Sequence, residues 1–164
     1  MIIYLAGGCF WGVESFLSQI KGVTSTEVGY ANGEETDPTY QAVCNGSGHV
    51  ECVKVTFDTD ILPLDVLLNY FYQIIDPTSL NKQGNDEGIQ YRTGIYYEDI
   101  SLKEHITESL KALQNEYQNK IAIENLPLKN YFKAEDYHQK YLVKNPSGYC
   151  HISKSRIRQI LNID

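Results

Sequence analysis

The run Ile2-Ile3-Tyr4-Leu5-Ala6-Gly7-Gly8-Cys9-Phe10-Trp11-Gly12-Val13-Glu14-Ser15-Phe16-Leu17-Ser18-Gln19-Ile20-Lys21-Gly22 decides the architecture. Ile2 to Leu5 is short and apolar, as a buried strand is. Gly7-Gly8 breaks that pattern. Val13, Phe16, Leu17 and Ile20 then recur at i, i+3, i+4 and i+7, one apolar face of a helix. Gly22 is a fitting stop. The chain therefore opens strand, glycine turn, helix, with Cys9 at the turn.

The same reading extends outward. Thr24 to Tyr30 predicts a strand, closed by Asn32-Gly33. His49 to Phe57 is the clearest strand: Glu51, Val53, Val55 and Phe57 share one face, and Val50, Cys52, Lys54 and Thr56 the other. Glu51 is a carboxylate in register with an apolar face. Pro63 can open a helix carrying Leu64, Leu67, Leu68, Phe71 and Ile75, which Asp76-Pro77 should end. The polar stretch from Asp76 to Tyr91 is longer than ordinary loops, which points to function or disorder. Tyr91 and the strand-like Gly94 to Tyr97 favour an ordered loop. Ser101-x-x-Glu104 resembles a capping box ahead of a helix with Leu102, Ile106, Leu110, Leu113 and Tyr117 on one face. Residues 121–123 read as a strand, 134–142 as a short helix, and 145–148 as a loop that delivers Cys150 in a tail. Residues 153–163 allow one more helix. Strands and helices alternate irregularly, so the class is α/β or α+β, a mixed sheet flanked by helices.

Composition narrows the function. The chain has 164 residues, 42% hydrophobic and 21% charged, which fits one globular domain rather than disorder. Residues 1–145 read as its core and 146–164 as its tail. Lys and Arg total 14 against 21 Asp and Glu, a net charge of −7. That balance is wrong for tracking nucleic-acid phosphates and lacks a basic face for a membrane surface. No basic n-region precedes Lys21 and no apolar segment spans a bilayer, so the expected compartment is the cytoplasm. There a permanent disulfide is not expected. Cys9, Cys44, Cys52 and Cys150 form no C-x-x-C pair. They are left with packing or reactivity. His49, His105, His138 and His151 show no ligand spacing, so no metal is expected.

Several residues are suited to chemistry. Cys9 at a helix N-terminus meets the dipole and unpaired N–H groups, which favour the thiolate. The alternative is a buried packing thiol. Phe10 and Trp11 could wall an apolar pocket or simply pack. Glu51, if buried, has a raised pKa and can serve as a general acid. If it lies at the strand's rim it is only solvated. Tyr40 and Tyr91 could donate hydrogen bonds, though they are two of 13 tyrosines. Asp86 lies in the long polar loop, where solvated acids are common. Cys150 could close a disulfide with Cys9 or stay inert, and Cys44 and Cys52 read as packing residues.

These residues fall into a pattern. Gly7-Gly8-Cys9-Phe10-Trp11-Gly12-Val13-Glu14 resembles the opening of the peptide methionine sulfoxide reductase A family. Gly29-Tyr30-Ala31, Tyr40-x-x-Val43, Gly48-His49-x-Glu51, Asp76-Pro77-Thr78, the segment from Asn81 to Arg92, and Ala134-Glu135-Asp136-Tyr137-His138-Gln139 agree in order. The resemblance runs from Ile3 to Cys150. It implies a two-layer α/β sandwich and reduction of the S epimer of methionine sulfoxide, free or in proteins, as antioxidant repair. It assigns Cys9 as nucleophile, Phe10 and Trp11 around the substrate methyl, Glu51 as proton donor and Tyr40 and Tyr91 on the sulfoxide oxygen. Asp86 would shape the site. Cys150 matches the resolving position, and external thioredoxin, with no bound cofactor, would reduce a Cys9–Cys150 disulfide. Many relatives carry a further cysteine beyond that position. None follows Cys150 here, so thioredoxin would attack the first disulfide directly. Asn32 stands where glycine is usual. A monomer is expected. The competing readings are a cysteine hydrolase or acyltransferase, which needs a histidine against Cys9, and a non-catalytic thioether-binding module.

Overall fold

The computed structural model describes residues 1–163. In chain order its elements are β1 (Ile2–Ala6), α1 (Phe10–Leu17), β2 (Val23–Ala31), α2 (Tyr40–Cys44), β3 (Val50–Phe57) and α3 (Leu64–Tyr72). A small hairpin follows, β4 (Lys82–Gln83) with β5 (Asp86–Glu87), then β6 (Gly94–Tyr97) and α4 (Leu102–Gln114). The last elements are β7 (Glu124–Pro127), β8 (Tyr131–Lys133), α5 (Tyr141–Lys144) and α6 (Lys154–Leu161). Single 3₁₀ turns lie at Ile89–Tyr91 and Asp136–His138.

Alternation along the strands sorts the side chains into layers. β1 pairs antiparallel with β3, Leu5 opposite Val53 and Ile3 opposite Val55. Those four, with Phe57, Ile95 and Tyr97, face the helices. Val13, Phe16 and Leu17 of α1, Leu67, Leu68 and Phe71 of α3, Ile106 of α4 and Ile157 of α6 complete that core. The reverse face carries Tyr4, Ala6, Ala31, Val50, Cys52 and Tyr96 under Tyr131 and Leu128. The sheet order is β7-β6-β1-β3-β2-β8. Its pairings are antiparallel except β6 with β7, so the sheet is mixed, as expected. Fully burying each large aliphatic side chain contributes about 1.5–3 kcal/mol, which makes the helix-covered face the principal source of stability. Among the described residues no helix is long and apolar enough to cross a membrane.

Four local expectations are corrected. Helix α3 stops at Tyr72, before Asp76-Pro77, because Gln73 and Ile74 bond back to Tyr70 and Phe71 in a tightened last turn. Ile75 still packs on the core, from outside the helix. Ser101 does not close a capping box: its N–H and Oγ both donate to Asp99 Oδ1, at 3.0 and 2.7 Å. Residues 121–123 are not a strand. The Ile121 N–H donates to Gln114 Oε1 and the Ala122 N–H to the Pro77 carbonyl, so their ladder capacity is spent elsewhere. The strand begins at Glu124 instead. Residues 134–142 are not one helix either. Gln139 bonds the N–H and C=O of Val28, acting as a strand partner, and Lys140 takes φ +51° before α5.

The polar loop from Asp76 is ordered, as expected. Gln83 fastens it: its Oε1 accepts the Asp76 N–H at 2.9 Å and its Nε2 donates to the Asp76 carbonyl and Thr93 Oγ1. The tail is less irregular than expected. Ser153 caps α6 by accepting the Arg156 N–H, and Ile152 and Ile157 are buried in the main core.

Candidate active site

Cys9 occupies the N-cap of α1, between the end of β1 and the first helical turn. Gly8 makes the turn at φ +90°, where a Cβ would strike the Gln83 side chain at 2.8 Å and His151 at 3.0 Å. Cys9 is 7% exposed. Its thiol is pushed well above the ordinary range, first by burial and then by the neighbouring Glu51 charge, while the Trp11 N–H pulls it back. This corrects the expectation that the helix end yields a thiolate: desolvation outweighs one N–H and the dipole. The resting sulfur is a neutral thiol.

Glu51 projects from β3 onto the helix-covered face, as its register predicted. It is 1% exposed, so it is not a rim residue. Burial, with a smaller push from Asp86, raises its pKa to about 8, and the Phe10 N–H, donating to Oε1 at 3.2 Å, opposes the rise. At pH 7 the group is a carboxylic acid. When ionised, Glu51 raises the Cys9 thiol further.

The phenols converge on the same space. Tyr40 opens α2, whose Thr39 cap accepts the Ala42 N–H. Tyr91 ends the 3₁₀ turn after β5. Both hydroxyls are held far above their ordinary pKa, by burial and then by the Glu51 charge, and so remain donors. Tyr91 also feels Asp86 and Cys9. Asp86 on β5 accepts the Tyr149 hydroxyl at 3.0 Å and lies 3.9 Å from His151 Nδ1.

The aromatic wall is organised around a residue to which the sequence reading gave no role. Trp11 Nε1 donates to His138 Nδ1 at 3.0 Å, and the rings of Phe10, Tyr40 and Tyr137 lie 5.1, 4.6 and 4.1 Å from that imidazole. Burial holds His138 below its ordinary pKa, so it stays a neutral acceptor. Tyr141 stacks on Trp11 at 3.7 Å and 10°. Glu14, buried on α1, positions that ring by accepting the Lys140 N–H at 2.8 Å and the Thr26 hydroxyl at 2.9 Å. Glu135 accepts the Tyr30 hydroxyl at 2.8 Å and the Tyr40 N–H at 3.0 Å. Their only sequence signal was charge or polarity inside otherwise apolar or aromatic runs.

Cys150 is half-buried on the first turn of α1, not loose in a tail. A Cβ on Gly12 would meet its Sγ at 3.0 Å. Its S–H donates to the Ile152 carbonyl at 2.9 Å, and all four cysteines are free thiols. Cys52 is fully buried on the reverse face, a packing residue as expected. Cys44 is exposed, with its thiol beside the Tyr40 hydroxyl, so packing does not describe it. A cleft of about 750 Å³ between α3 and α4, lined by Asp65, Tyr72 and His105, contains none of the residues gathered around Cys9.

Gly12→Ala follows as a test of this seating. The added methyl must displace Cys150 and His151, which it would meet at 3.0 and 3.2 Å. Such overpacking costs about 1–3 kcal/mol. Thermal unfolding should show that loss as a lowered melting temperature.

A neutral acid facing a neutral thiol suits a substrate whose oxygen must gain protons as its partner atom is attacked. The groups acting on Cys9 are Glu51, Asp86 and Cys150 rather than a histidine base, so the hydrolase reading is not favoured. The fold and site define a thiol-dependent oxidoreductase. A family model described as peptide methionine sulfoxide reductase matches residues 1–162. The chain is 61% identical over 151 residues to peptide methionine sulfoxide reductase MsrA of Clostridium perfringens, covering 92% of this chain and 96% of that one. Among solved structures, reduced Mxr1 from Saccharomyces cerevisiae superposes with a TM-score of 0.88 at 36% identity, covering 93% of this chain and 91% of that one. Mxr1 in complex with Trx2 shares the fold at a TM-score of 0.62 and 24% identity, covering 86% of this chain and 84% of that one. The chain belongs to the peptide methionine sulfoxide reductase family and is an enzyme of methionine sulfoxide reduction.

Proposed function

We propose that this chain reduces the S epimer of methionine sulfoxide, free or within proteins, through a Cys9 sulfenic acid. The observation that carries the reading is Glu51: a carboxylic acid 1% exposed, bonded to the Phe10 N–H and close enough for its charge to act on the Cys9 thiol. A sulfoxide sulfur becomes electrophilic when its oxygen is protonated. Glu51 supplies that proton, and the Tyr40 and Tyr91 hydroxyls hold the oxygen. Phe10 and Trp11 take the methyl group, and Asp86 shapes the far side. The Cys9 sulfur attacks the sulfoxide sulfur and a transient S–S bond forms; the thiol proton replaces the one Glu51 has given to the oxygen. The oxygen then passes to Cys9 as a new S–O bond while the transient S–S bond and the sulfoxide S–O bond break, so methionine leaves and Cys9 is a sulfenic acid.

Cys150 then attacks that sulfur, water leaves, and a Cys9–Cys150 disulfide forms. A thioredoxin dithiol reduces it by exchange, without a bound cofactor. The exposed side of Tyr149, 44% accessible beside Cys150, gives that reductant an approach. We read residues 1–164 as one catalytic domain acting as a monomer in the cytoplasm, where thiols are kept reduced.

Cys150→Ser tests the cycle. It should release one equivalent of methionine and then stall with thioredoxin, while mass spectrometry of the unaltered protein after one equivalent of sulfoxide maps a Cys9–Cys150 link. Sustained turnover by the variant would transfer the resolving role to Cys44 or Cys52.

A further inference from the structure

His151, next to Cys150, has no part in the cycle just described. Its side chain is 4% exposed. Nε2 lies 3.1 Å from the Gly7 carbonyl, which can only accept, so Nε2 carries the hydrogen and Nδ1 the lone pair. Nδ1 is buried and has no hydrogen-bond partner. It is aimed at the first turn of α1: a Cβ on Gly12 would lie 3.2 Å from Nδ1 and 3.0 Å from Cys150 Sγ. The unpartnered nitrogen and the thiol thus bracket one point beside the helix that begins at Cys9.

We propose that His151 Nδ1 accepts the Cys150 proton during disulfide closure. The proposal rests on the reading of Cys150 as the resolving thiol and adds the group that activates it. The Cys150 S–H swings from the Ile152 carbonyl, its bond breaks, and the proton passes to Nδ1. The thiolate attacks the Cys9 sulfenic sulfur, the S–S bond forms and the S–O bond breaks. The departing hydroxide takes the proton and leaves as water. Cys9 is reduced and Cys150 oxidised, so no outside oxidant is needed.

The surroundings suit a transient imidazolium. Asp86 Oδ2, from β5, lies 3.9 Å from Nδ1, and the Gly7 carbonyl already holds Nε2–H. Arg156 of α6 shares a cleft with the ring, whose other walls, Gln73, Ile74, Ile75, Ile152 and Ser153, are uncharged. The Lys154 charge acts on Cys150 and favours its thiolate. Cys9, Tyr149 and Glu51, which holds the Phe10 N–H, are the other titratable groups around this turn. Burial keeps the imidazole below its ordinary pKa, so the lone pair is available at neutral pH.

The test is single-turnover kinetics of His151→Gln against the unaltered protein across about pH 5.5 to 9. Glutamine keeps a donor for Gly7 and removes the base. The methionine burst should be unchanged, which also shows that the variant is folded. Disulfide closure should slow roughly 10²-fold near neutrality, and the deficit should shrink as pH approaches the thiol range. Closure at the normal rate, or slowed equally at every pH, would overturn the proposal. Cys150→Ser run alongside separates the two ideas. If it still forms an intramolecular disulfide, both fall. If it does not while His151→Gln closes normally, only the role of His151 falls.

Discussion

Cys9→Ser is expected to abolish turnover, by roughly 10³–10⁶-fold, with thioredoxin-dependent NADPH oxidation as the measurement. The hydroxyl fits the thiol's buried place but is a far weaker nucleophile and cannot carry the sulfenic state. Folding should not suffer. Cys9 stands at an N-cap where its side chain makes no capping bond, and serine is a preferred cap. Unchanged or slightly raised thermal stability, by about 0.5–1 kcal/mol, should therefore accompany the loss. Activity kept within tenfold would end the assignment of Cys9.

Glu51→Gln should slow methionine release by about 10²–10⁴-fold. The pH dependence is the sharper readout. In the unaltered enzyme the proton is present below about 8 and lost above it, so the burst rate should fall as pH rises through that value. The variant should not show this fall. The substitution should raise stability while it lowers activity. The unfolded carboxyl ionises near its ordinary 4.5, whereas the folded one keeps its proton to about 8. Between those values the folded state binds more protons, so stability falls with rising pH. At pH 7 the carboxyl costs on the order of 3 kcal/mol, which glutamine avoids paying in part. The variant should gain melting temperature at pH 8 and little at pH 4. An unchanged burst rate with an unchanged pH profile would remove Glu51 from the mechanism.

Much of this was legible in the residues, and the limits have physical causes. The alternation from Val50 to Phe57 was readable because one face packs helices, and it put Glu51 on the inward side before any coordinates. The Gly7-Gly8 turn and the face of α1 likewise placed Cys9. What failed was structure held by single side chains. Strand β7, Glu124–Pro127, is an edge with a half-exposed, polar composition, so no apolar period marks it. The run after Ala134 mimics a helix, but Gln139 and Glu14 hold it in another path. The thiolate expectation failed because it weighed the helix end without the cost of burial. His138 and His151 lack ligand spacing, and their partners are a distant tryptophan and a glycine carbonyl, so nothing local in the sequence marks them.

Asp86 reaches the residues on both sides of Cys150, accepting from Tyr149 and lying near His151. In the cycle proposed above, drawing Cys150 toward Cys9 would pull on both grips at once, so joining the sulfurs and keeping the clip intact would compete for the same short length of backbone. On that reading the surface around Tyr149 would differ between the spent and the ready enzyme, and a recycling protein docking there would distinguish the copies needing electrons from those already charged.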